Sequence, residues 1–144
     1  MRALLDVNVL IALLDRVHLH HQSAVNWFRE NITHGWSSCP ITQLGCIRVM
    51  SNPRYPNTQP AAAVAARLRE AAASTYHQFW PAAAQPLDHD GAQWNQVLRH
   101  REVTDLYLLT LAVMNKGRLV TFDRHVPWQK VRNAEAENLC VIGS

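Results

Sequence analysis

Hydrophobic residues in this chain form short apolar runs that alternate with longer stretches of helical periodicity. Short runs of this kind, bounded by turn residues, are typical of buried strands, whereas apolar residues three and four positions apart indicate helices. The predicted strands are 3–6, 35–39, 77–80, 118–122 and 139–142, and the predicted helices are 7–14, 19–32, 41–50, 59–74, 88–99 and 104–114. Most connections are too long for hairpins, so the alternation predicts an α/β fold with a small central parallel sheet flanked by helices on both faces.

The most apolar of these helices, 104–114, carries an aspartate in its first turn and leads into a strand that ends in another aspartate. These residues are Asp105 and Asp123, and Asp6 follows the first predicted strand in the same way. Functional groups in parallel sheets gather beyond the carboxyl ends of the strands, so the three acids are expected to converge there. The alternative is structural, because aspartate and asparagine are also ordinary N-caps, as Asp6 or Asn8 would be for helix 7–14.

Three aspartates held close together repel one another unless protonation or a cation relieves the repulsion. Hard carboxylate oxygens suit Mg²⁺ or Mn²⁺, which leave coordination positions open for water and phosphate oxygens. Such an ion polarises a phosphoryl group and acidifies a water molecule, which is the chemistry of phosphodiester hydrolysis. Convergence would therefore indicate a metal-dependent nuclease.

Composition narrows the class of protein without naming a function. A length of 144 residues predicts one domain, and 48% hydrophobic with 17% charged residues is typical of globular proteins. No apolar run reaches the ~20 residues of a membrane span, and an acid as early as Asp6 argues against a secretory signal, so a cytoplasmic location is expected. The net charge of +3 permits an anionic partner such as nucleic acid.

Cysteine and histidine contribute no clear metal site. The three cysteines have no CxxC spacing and are interpreted as buried free thiols. The histidines at 18, 20 and 21 lack the i, i+4 pairing of a helix-borne zinc pair, which favours surface or packing roles. Asp88 and Asp90 are interpreted as first-turn acids of the helix predicted over 88–99.

Four segments in a fixed order carry a family resemblance that extends over nearly the whole chain. They are LLDVNVL at 4–10, PITQLGCIRV at 40–49 with SNP at 51–53, VTDLYL at 103–108, and RLVTFD at 118–123. Together they resemble PIN-domain ribonucleases, and among these the toxin component of VapBC toxin–antitoxin pairs. The resemblance implies a single PIN-like domain over 1–144 with a three-layer α/β/α architecture.

The resemblance also implies roles for individual residues. Asp6, Asp105 and Asp123 would be the catalytic acids that hold Mg²⁺ or Mn²⁺. The site-supporting residues would be Asn8, Thr42, Gln43, Thr104 and Thr121, of which Asn8 and Thr104 would orient carboxylates and Thr121 would support Asp123. Arg48 would lie near the acids and meet RNA phosphate, with a structural ion pair as its alternative.

One position departs from the family pattern, because many PIN domains have glutamate where this chain has Gln43. A carboxamide can bind a metal-bound water but adds no charge, which should weaken cation binding or favour a single ion. Glu102 is a possible fourth acid, interpreted here as a solvated residue that precedes the helix.

The implied function is a metal-dependent endoribonuclease toxin that cuts RNA and so stops translation. The implied partners are RNA, a cognate antitoxin that blocks the site, and a second copy of the chain in a homodimer. A non-catalytic RNA-binding or regulatory PIN domain is the alternative. A response-regulator-like signalling domain is disfavoured, because the first strand supplies only Asp6 rather than two adjacent acids.

Overall fold

The computed structural model of the chain describes residues 1–143 and alternates strands with helices throughout. The strands are β1 (Ala3–Leu5), β2 (Trp36–Ser38), β3 (His77–Phe79), β4 (Arg118–Thr121) and β5 (Leu139–Val141). The α-helices are α1 (Val7–Leu14), α2 (His21–Asn31), α3 (Pro40–Met50), α4 (Ala61–Ala72) and α5 (Glu102–Met114). Short 3₁₀ turns occupy Ile32–His34, Trp94–Gln96, Trp128–Lys130 and Ala136–Asn138.

All five strands form one parallel sheet in the order β3-β2-β1-β4-β5. β1 lies at the centre, where Leu4 pairs with Ser37 of β2 on one side and with Leu119 of β4 on the other. The predicted parallel sheet is therefore confirmed. The ends of β1 and β4, which precede Asp6 and Asp123, are adjacent at the same edge of the sheet.

Alternation along the central strands divides the core into two layers. Leu4 and Leu119 pack with the leucines of α5, whereas Leu5 and Val120 pack with residues of α1, α2, α3 and α4. Successive strand residues point to opposite faces of a sheet, so these short apolar strands are buried on both sides. This arrangement confirms the three-layer α/β/α prediction.

The helix α5 and the strand β4 are joined by a turn that fixes their relative positions. Lys116 has φ of 55°, and a Cβ added at Gly117 would lie 2.7 Å from the carbonyl oxygen of Arg2. A side chain at position 117 would thus push the turn away from β1. Because the leucines of α5 at 106, 108, 109 and 111 are fully buried, the helix is a rigid connection between Asp105 and the β4 end.

The prediction of a helix over 88–99 is wrong. This segment contains turns, an isolated bridge from Ala92 to Val131, and one 3₁₀ turn. Its backbone bonds to another part of the chain, because the Gln93 N–H donates to the Lys130 carbonyl at 2.7 Å and Gly91 accepts from Arg132 at 3.1 Å. With no helix there, the prediction that Asp88 and Asp90 cap one is also wrong.

The three neighbouring histidines serve packing and turn formation, as expected. The ring of His20 stacks on Phe122 at 5.0 Å, and the Nδ1 atom of His21 lies 2.7 Å from the Ala12 carbonyl oxygen. His18 accepts a hydrogen bond from the His20 N–H through Nδ1 at 3.0 Å. The α2 helix consequently starts at His21 rather than at residue 19.

The alanine-rich helix α4 packs through Val64 and Leu68 and leaves much of its remaining surface exposed. The cysteines are free thiols; Cys39 and Cys46 are buried and Cys140 is partly so. No helix within residues 1–143 has the length and apolarity needed to cross a bilayer.

Candidate active site

Asp6 lies at the junction between β1 and α1 and is 7% exposed. One carboxylate oxygen accepts the Val7 N–H at 2.8 Å, so the residue is an N-cap of α1. Its other carboxylate oxygen accepts the Thr121 hydroxyl at 2.7 Å. Asp6 can therefore be both the N-cap of α1 and a residue of the candidate site, because the cap uses one carboxylate oxygen and the contact with Thr121 uses the other.

Asp123 is held beside the end of β4 by hydrogen bonds to its own loop. Its N–H donates to the Thr121 hydroxyl oxygen at 3.1 Å, and its carboxylate accepts the His125 N–H at 2.8 Å. The Asn8 side chain connects this loop to α1, since its amide donates to Thr121 at 3.2 Å and its carbonyl accepts the Phe122 N–H at 3.3 Å. The Thr121 hydroxyl thus links three elements of the site.

Asp105 occupies the first turn of α5 and borders a small pocket together with Asp123. We call this the acidic pocket; it has a volume of about 100 Å³ and is lined by Arg99, Arg101, Glu102, Asp105, Asp123 and His125. Both arginines are exposed, while Asp105 and Asp123 are partly exposed. The pocket therefore combines carboxylates that face solvent with two cations at its border.

The three aspartates are close enough to perturb one another. Burial, together with the charges of Asp6, Asp123 and Glu102, raises the pKa of Asp105 to about 7. The pKa of Asp6 is also raised, chiefly by burial and further by Asp123, although the hydrogen bonds from Thr121 and Val7 oppose the shift. Carboxylates from three separate parts of the chain thus share one electrostatic environment.

Glu102 belongs to this environment, which corrects its interpretation as a solvated residue. It is the first residue of α5, its side chain is only 14% exposed, and it pairs with Lys130 at 3.1 Å. Its charge contributes to the raised pKa of Asp105. The sequence signal for this proximity was the i, i+3 spacing from Asp105, which places both side chains on one helix face.

Within residues 1–143, neither Thr42 nor Thr104 donates a hydrogen bond to a carboxylate, so their predicted supporting roles stay predictions. The fully buried Thr42 hydroxyl accepts the Cys39 N–H at 3.0 Å and donates to the Cys39 carbonyl at 3.2 Å. These bonds close the first turn of α3 and leave no donor for a carboxylate. Thr104 is exposed and borders a different cavity, beside Tyr107.

Gln43 and Arg48 lie on α3. The Gln43 amide donates to the Ser38 hydroxyl at 2.9 Å, and that oxygen lies 2.8 Å from Nε2 of His77. The Arg48 side chain is exposed. Within residues 1–143, no hydrogen bond or ion pair joins either side chain to the aspartates of the acidic pocket. Their predicted roles stay predictions.

Sequence reasoning overlooked the cations of the acidic pocket, Arg99 and Arg101, and also His125. The available signals were the basic run that precedes α5 and the position of His125 two residues after Asp123. Neither signal separates a site residue from an exposed surface residue. These side chains became candidates only once the fold placed them beside the carboxylates.

The donor set fits a hard divalent cation in its chemistry. Carboxylate oxygens are the ligands Mg²⁺ and Mn²⁺ prefer, and a cation would offset the burial and the repulsion that together raise the pKa of Asp105. In the described part of the chain, no three histidine, cysteine, aspartate or glutamate side chains are already gathered as a ligand group. Mg²⁺ commonly uses only about one or two carboxylates and retains several waters, so such an arrangement is compatible with binding.

Comparison with known proteins agrees with this fold. The PIN domain family matches residues 3–133, so the chain belongs to the PIN-domain family. Among curated proteins, ribonuclease VapC44 of Mycobacterium tuberculosis is 44% identical over 142 residues, which cover 99% of this chain and 100% of the relative. Ribonuclease VapC39 of the same organism is 42% identical over 125 residues, with 85% and 89% coverage. The resemblance to VapC toxins is thereby confirmed.

Two solved structures share the fold at low sequence identity. The crystal structure of Mycobacterium tuberculosis VapC20, described as a sarcin-ricin loop cleaving toxin, has a TM-score of 0.62 at 14% identity and covers 92% of this chain and 98% of that one. VapBC2 from Rickettsia felis, bound to a DNA fragment from its promoter, has a TM-score of 0.58 at 14% identity, with 98% and 97% coverage. These likenesses support the three-layer architecture.

Proposed function

We propose that this chain is a Mg²⁺- or Mn²⁺-dependent endoribonuclease that acts as the toxin of a toxin–antitoxin system, hydrolysing RNA phosphodiester bonds to inhibit translation and growth. The observation that carries the proposal is the electrostatic coupling of Asp6, Asp105 and Asp123 at one edge of the sheet. The relatives named as ribonucleases, which align over 85% and 99% of the chain, support the same chemistry.

Each proposed ligand has a defined support in the fold. Asp6 keeps one oxygen on the α1 N-terminus and the other on Thr121, while Asp123 is oriented by the loop that follows β4. Asp105 is presented by α5, whose buried leucines fix its position. When bound, Mg²⁺ or Mn²⁺ supplies a Lewis acid that polarises a phosphate oxygen and acidifies water.

The surrounding cations would counter the repulsion between RNA and the acids. Arg99 and Arg101 border the acidic pocket and are exposed, so each can donate to a backbone phosphate. The exposed Arg48 on α3 is the third candidate for a phosphate contact. In this proposal the arginines position RNA, and the aspartates supply the reactive centre.

The proposal includes protein partners. We expect a cognate antitoxin that blocks the acidic pocket and represses transcription together with the toxin, and we expect a homodimer. The Rickettsia felis VapBC2 structure supports such a pairing for this family. If a short reading frame lies next to the gene, co-expression with its product should give a complex that does not cleave RNA, and light scattering should report its stoichiometry.

Cleavage of purified RNA tests the catalytic assignment. The wild-type chain should cut RNA with Mn²⁺ or Mg²⁺ and should lose this activity in a chelator. Asp6→Asn and Asp123→Asn should each lower cleavage at least about a hundredfold, since removal of a group on which catalysis depends commonly costs several kcal/mol. Asp88→Asn is the matched control, because Asp88 is an exposed carboxylate outside the acidic pocket.

The same variants separate the two functions under consideration. Induced expression of the wild type should arrest growth, and Asp6→Asn should abolish the arrest. If the wild type binds RNA but neither binds Mn²⁺ nor cleaves, the chain is instead a non-catalytic RNA-binding PIN domain. That alternative is favoured by one observation, the uncharged Gln43 that is bonded to Ser38.

A further inference from the structure

A second cavity lies beside the acidic pocket and shares the first turn of α5 with it. We call it the aromatic cavity; it has a volume of about 560 Å³, and its lining includes Ile41, Gln85, Trp94, Val103, Thr104 and Tyr107. Glu102 and Asp105 line the acidic pocket, whereas Val103 and Thr104 line the aromatic cavity. Residues three apart share a helix face, so one helical turn forms a wall of both spaces.

The two large rings of the aromatic cavity have already used their hydrogen-bond donors within the protein. The Trp94 indole N–H donates to the Pro86 carbonyl at 2.6 Å, and the Tyr107 hydroxyl donates to the Ala84 carbonyl at 2.9 Å. These bonds fix the rings in the wall, so the rings offer apolar aromatic surface to an occupant. The cavity thus suits a flat, apolar group.

Two polar side chains complete the lining. Gln85 and Thr104 are exposed, and within residues 1–143 neither side chain has a hydrogen-bond partner. A carboxamide offers a donor and an acceptor side by side, and a hydroxyl offers either. The occupant best matched to this combination is a flat ring that carries donors and acceptors along its edge.

Positively charged residues beside the shared α5 turn favour an occupant that is attached to an anionic backbone. Arg99 and Arg101 border the acidic pocket, and neither forms an ion pair within residues 1–143. A phosphate held by these arginines would place the next nucleotide within reach of the shared α5 turn. An aromatic cavity beside a cationic border is the usual arrangement for binding single-stranded nucleic acid.

From these observations we propose that the aromatic cavity binds an unstacked nucleobase of single-stranded RNA, next to the nucleotide whose phosphate is cleaved. The inference rests on the proposed ribonuclease function and adds a base-binding subsite to it. Trp94 would supply the stacking surface, and Gln85 with Thr104 would contact the edge of the base. The cavity would thereby contribute to the choice of cleavage position, because RNA sequence is read mainly on splayed, single-stranded bases.

The test measures binding of short single-stranded RNA oligonucleotides in a chelator, so that no cleavage is needed. The oligonucleotides have one fixed sequence, and in each member of the series one nucleotide is made abasic. Wild-type protein should bind at least one abasic oligonucleotide between about 5-fold and about 100-fold more weakly than the intact RNA, the range expected for loss of one stacked base. Fluorescence anisotropy of a labelled RNA end reports the affinities.

Three variants and two controls locate the effect. Trp94→Leu should weaken binding of intact RNA and abolish the penalty for the sensitive abasic position. Gln85→Ala should reduce that penalty, and Ala83→Trp should fill the cavity and have the same effect without removing a core ring. Trp27→Leu on the opposite face of the sheet and Gln22→Ala on α2 are matched controls that should retain the wild-type pattern.

The outcomes are separable from those of the cleavage assay. Equal affinity for intact and abasic RNA, or an unchanged abasic penalty in both Trp94→Leu and Ala83→Trp, overturns the subsite even if the protein is a nuclease. If those two variants instead change only the oligomeric state in sedimentation, the cavity is a protein interface and the proposal fails. If the chain shows the predicted binding pattern but never cleaves RNA, the base-binding subsite is supported and the proposed ribonuclease function is refuted.

Discussion

Substituting Asp105 with asparagine should stabilise the metal-free protein above neutral pH. Burial, Asp6, Asp123 and Glu102 raise the pKa of Asp105 from its ordinary value of 3.8 to about 7. At 1.36 kcal/mol per pH unit, this increase corresponds to about 4 kcal/mol of penalty on the ionised form. Because the side chain is partly exposed, solvent screening reduces the expected effect to about 2 kcal/mol.

The sign of the effect depends on pH in a defined way. Between pH 3.8 and about 7 the folded protein retains a proton on Asp105 that the unfolded chain has lost, so the wild type loses stability as pH rises through this window. Above pH 7 both states are ionised, and the full penalty remains. The asparagine of the variant cannot ionise, so the gain should be near zero at about pH 4 and about 2 kcal/mol at about pH 8.

Urea denaturation with a chelator present measures this difference directly. Wild type and Asp105→Asn would be unfolded at both pH values, and the difference in free energy of unfolding would be compared. Asp88→Asn, an exposed carboxylate in the loop before α5, is the matched control and should show no such dependence. A variant that is no more stable than wild type at the higher pH would refute the claim that burial and the neighbouring carboxylates destabilise the ionised form of Asp105.

Three further predictions concern the hydrogen bonds and the cation. Thr121→Val should cost about 1–3 kcal/mol in urea denaturation, because it leaves Asp6 without its hydroxyl donor, whereas Thr121→Ser should retain most of the stability. Although burial opposes it, hydrogen bonds from Tyr55, Asn57 and the Val17 N–H hold the pKa of Asp15 below its ordinary value. Tyr55→Phe should therefore lower the free energy of unfolding by about 1–3 kcal/mol near neutral pH, and by less as pH falls through the lowered pKa. Mn²⁺ at about 100 times its dissociation constant should add about 2.7 kcal/mol to the stability of the wild type and less to that of Asp123→Asn. Thermal unfolding at about pH 8 measures both gains, and equal gains would contradict the proposal that Asp123 is one of the ligands of the ion.

The sheet and the central helix were predictable because their residue patterns agree with their burial. Leu4 and Leu5 face opposite layers of the core, which requires a short continuous apolar strand rather than an alternating one. In α5, four leucines are fully buried, and a helix that is apolar on nearly every side is expected inside a domain. Local sequence and tertiary packing favour the same structure at these positions.

The segment before α5 was mispredicted because tertiary hydrogen bonds override its local pattern. Acids at 88 and 90 followed by apolar residues resemble a helix start. The backbone of 91–93 bonds instead to residues 130–132, and a Cβ at Gly91 would lie 2.9 Å from Cγ2 of Thr110 on α5. No local pattern encodes a partner about forty positions away, so the loop that lines the aromatic cavity could not be predicted from sequence.

The residues of the candidate site also include some that could be predicted from the sequence and some that could not. Asp6 and Asp123 could be located because they follow strands that pair in the sheet, and topology alone brings such positions together. The direction of a side chain on α3 could not be predicted, because the helical pattern does not specify which neighbouring residue that side chain contacts. Gln43 bonds to Ser38 beside β3, a contact that depends on how α3 packs over the sheet.

This contact bears on the missing charge at position 43. The Gln43 amide donates to Ser38, and the Ser38 hydroxyl lies within hydrogen-bond distance of His77, so position 43 belongs to an uncharged network rather than to the acidic pocket. A fourth carboxylate nevertheless acts on the pocket, because Glu102 lies one turn from Asp105 and raises its pKa. The charges that act on Asp105 thus come from Asp6 after β1, from Asp123 after β4 and from Glu102 in the first turn of α5. Glutamine at position 43 removes a charge from α3 but leaves these three acids acting on Asp105.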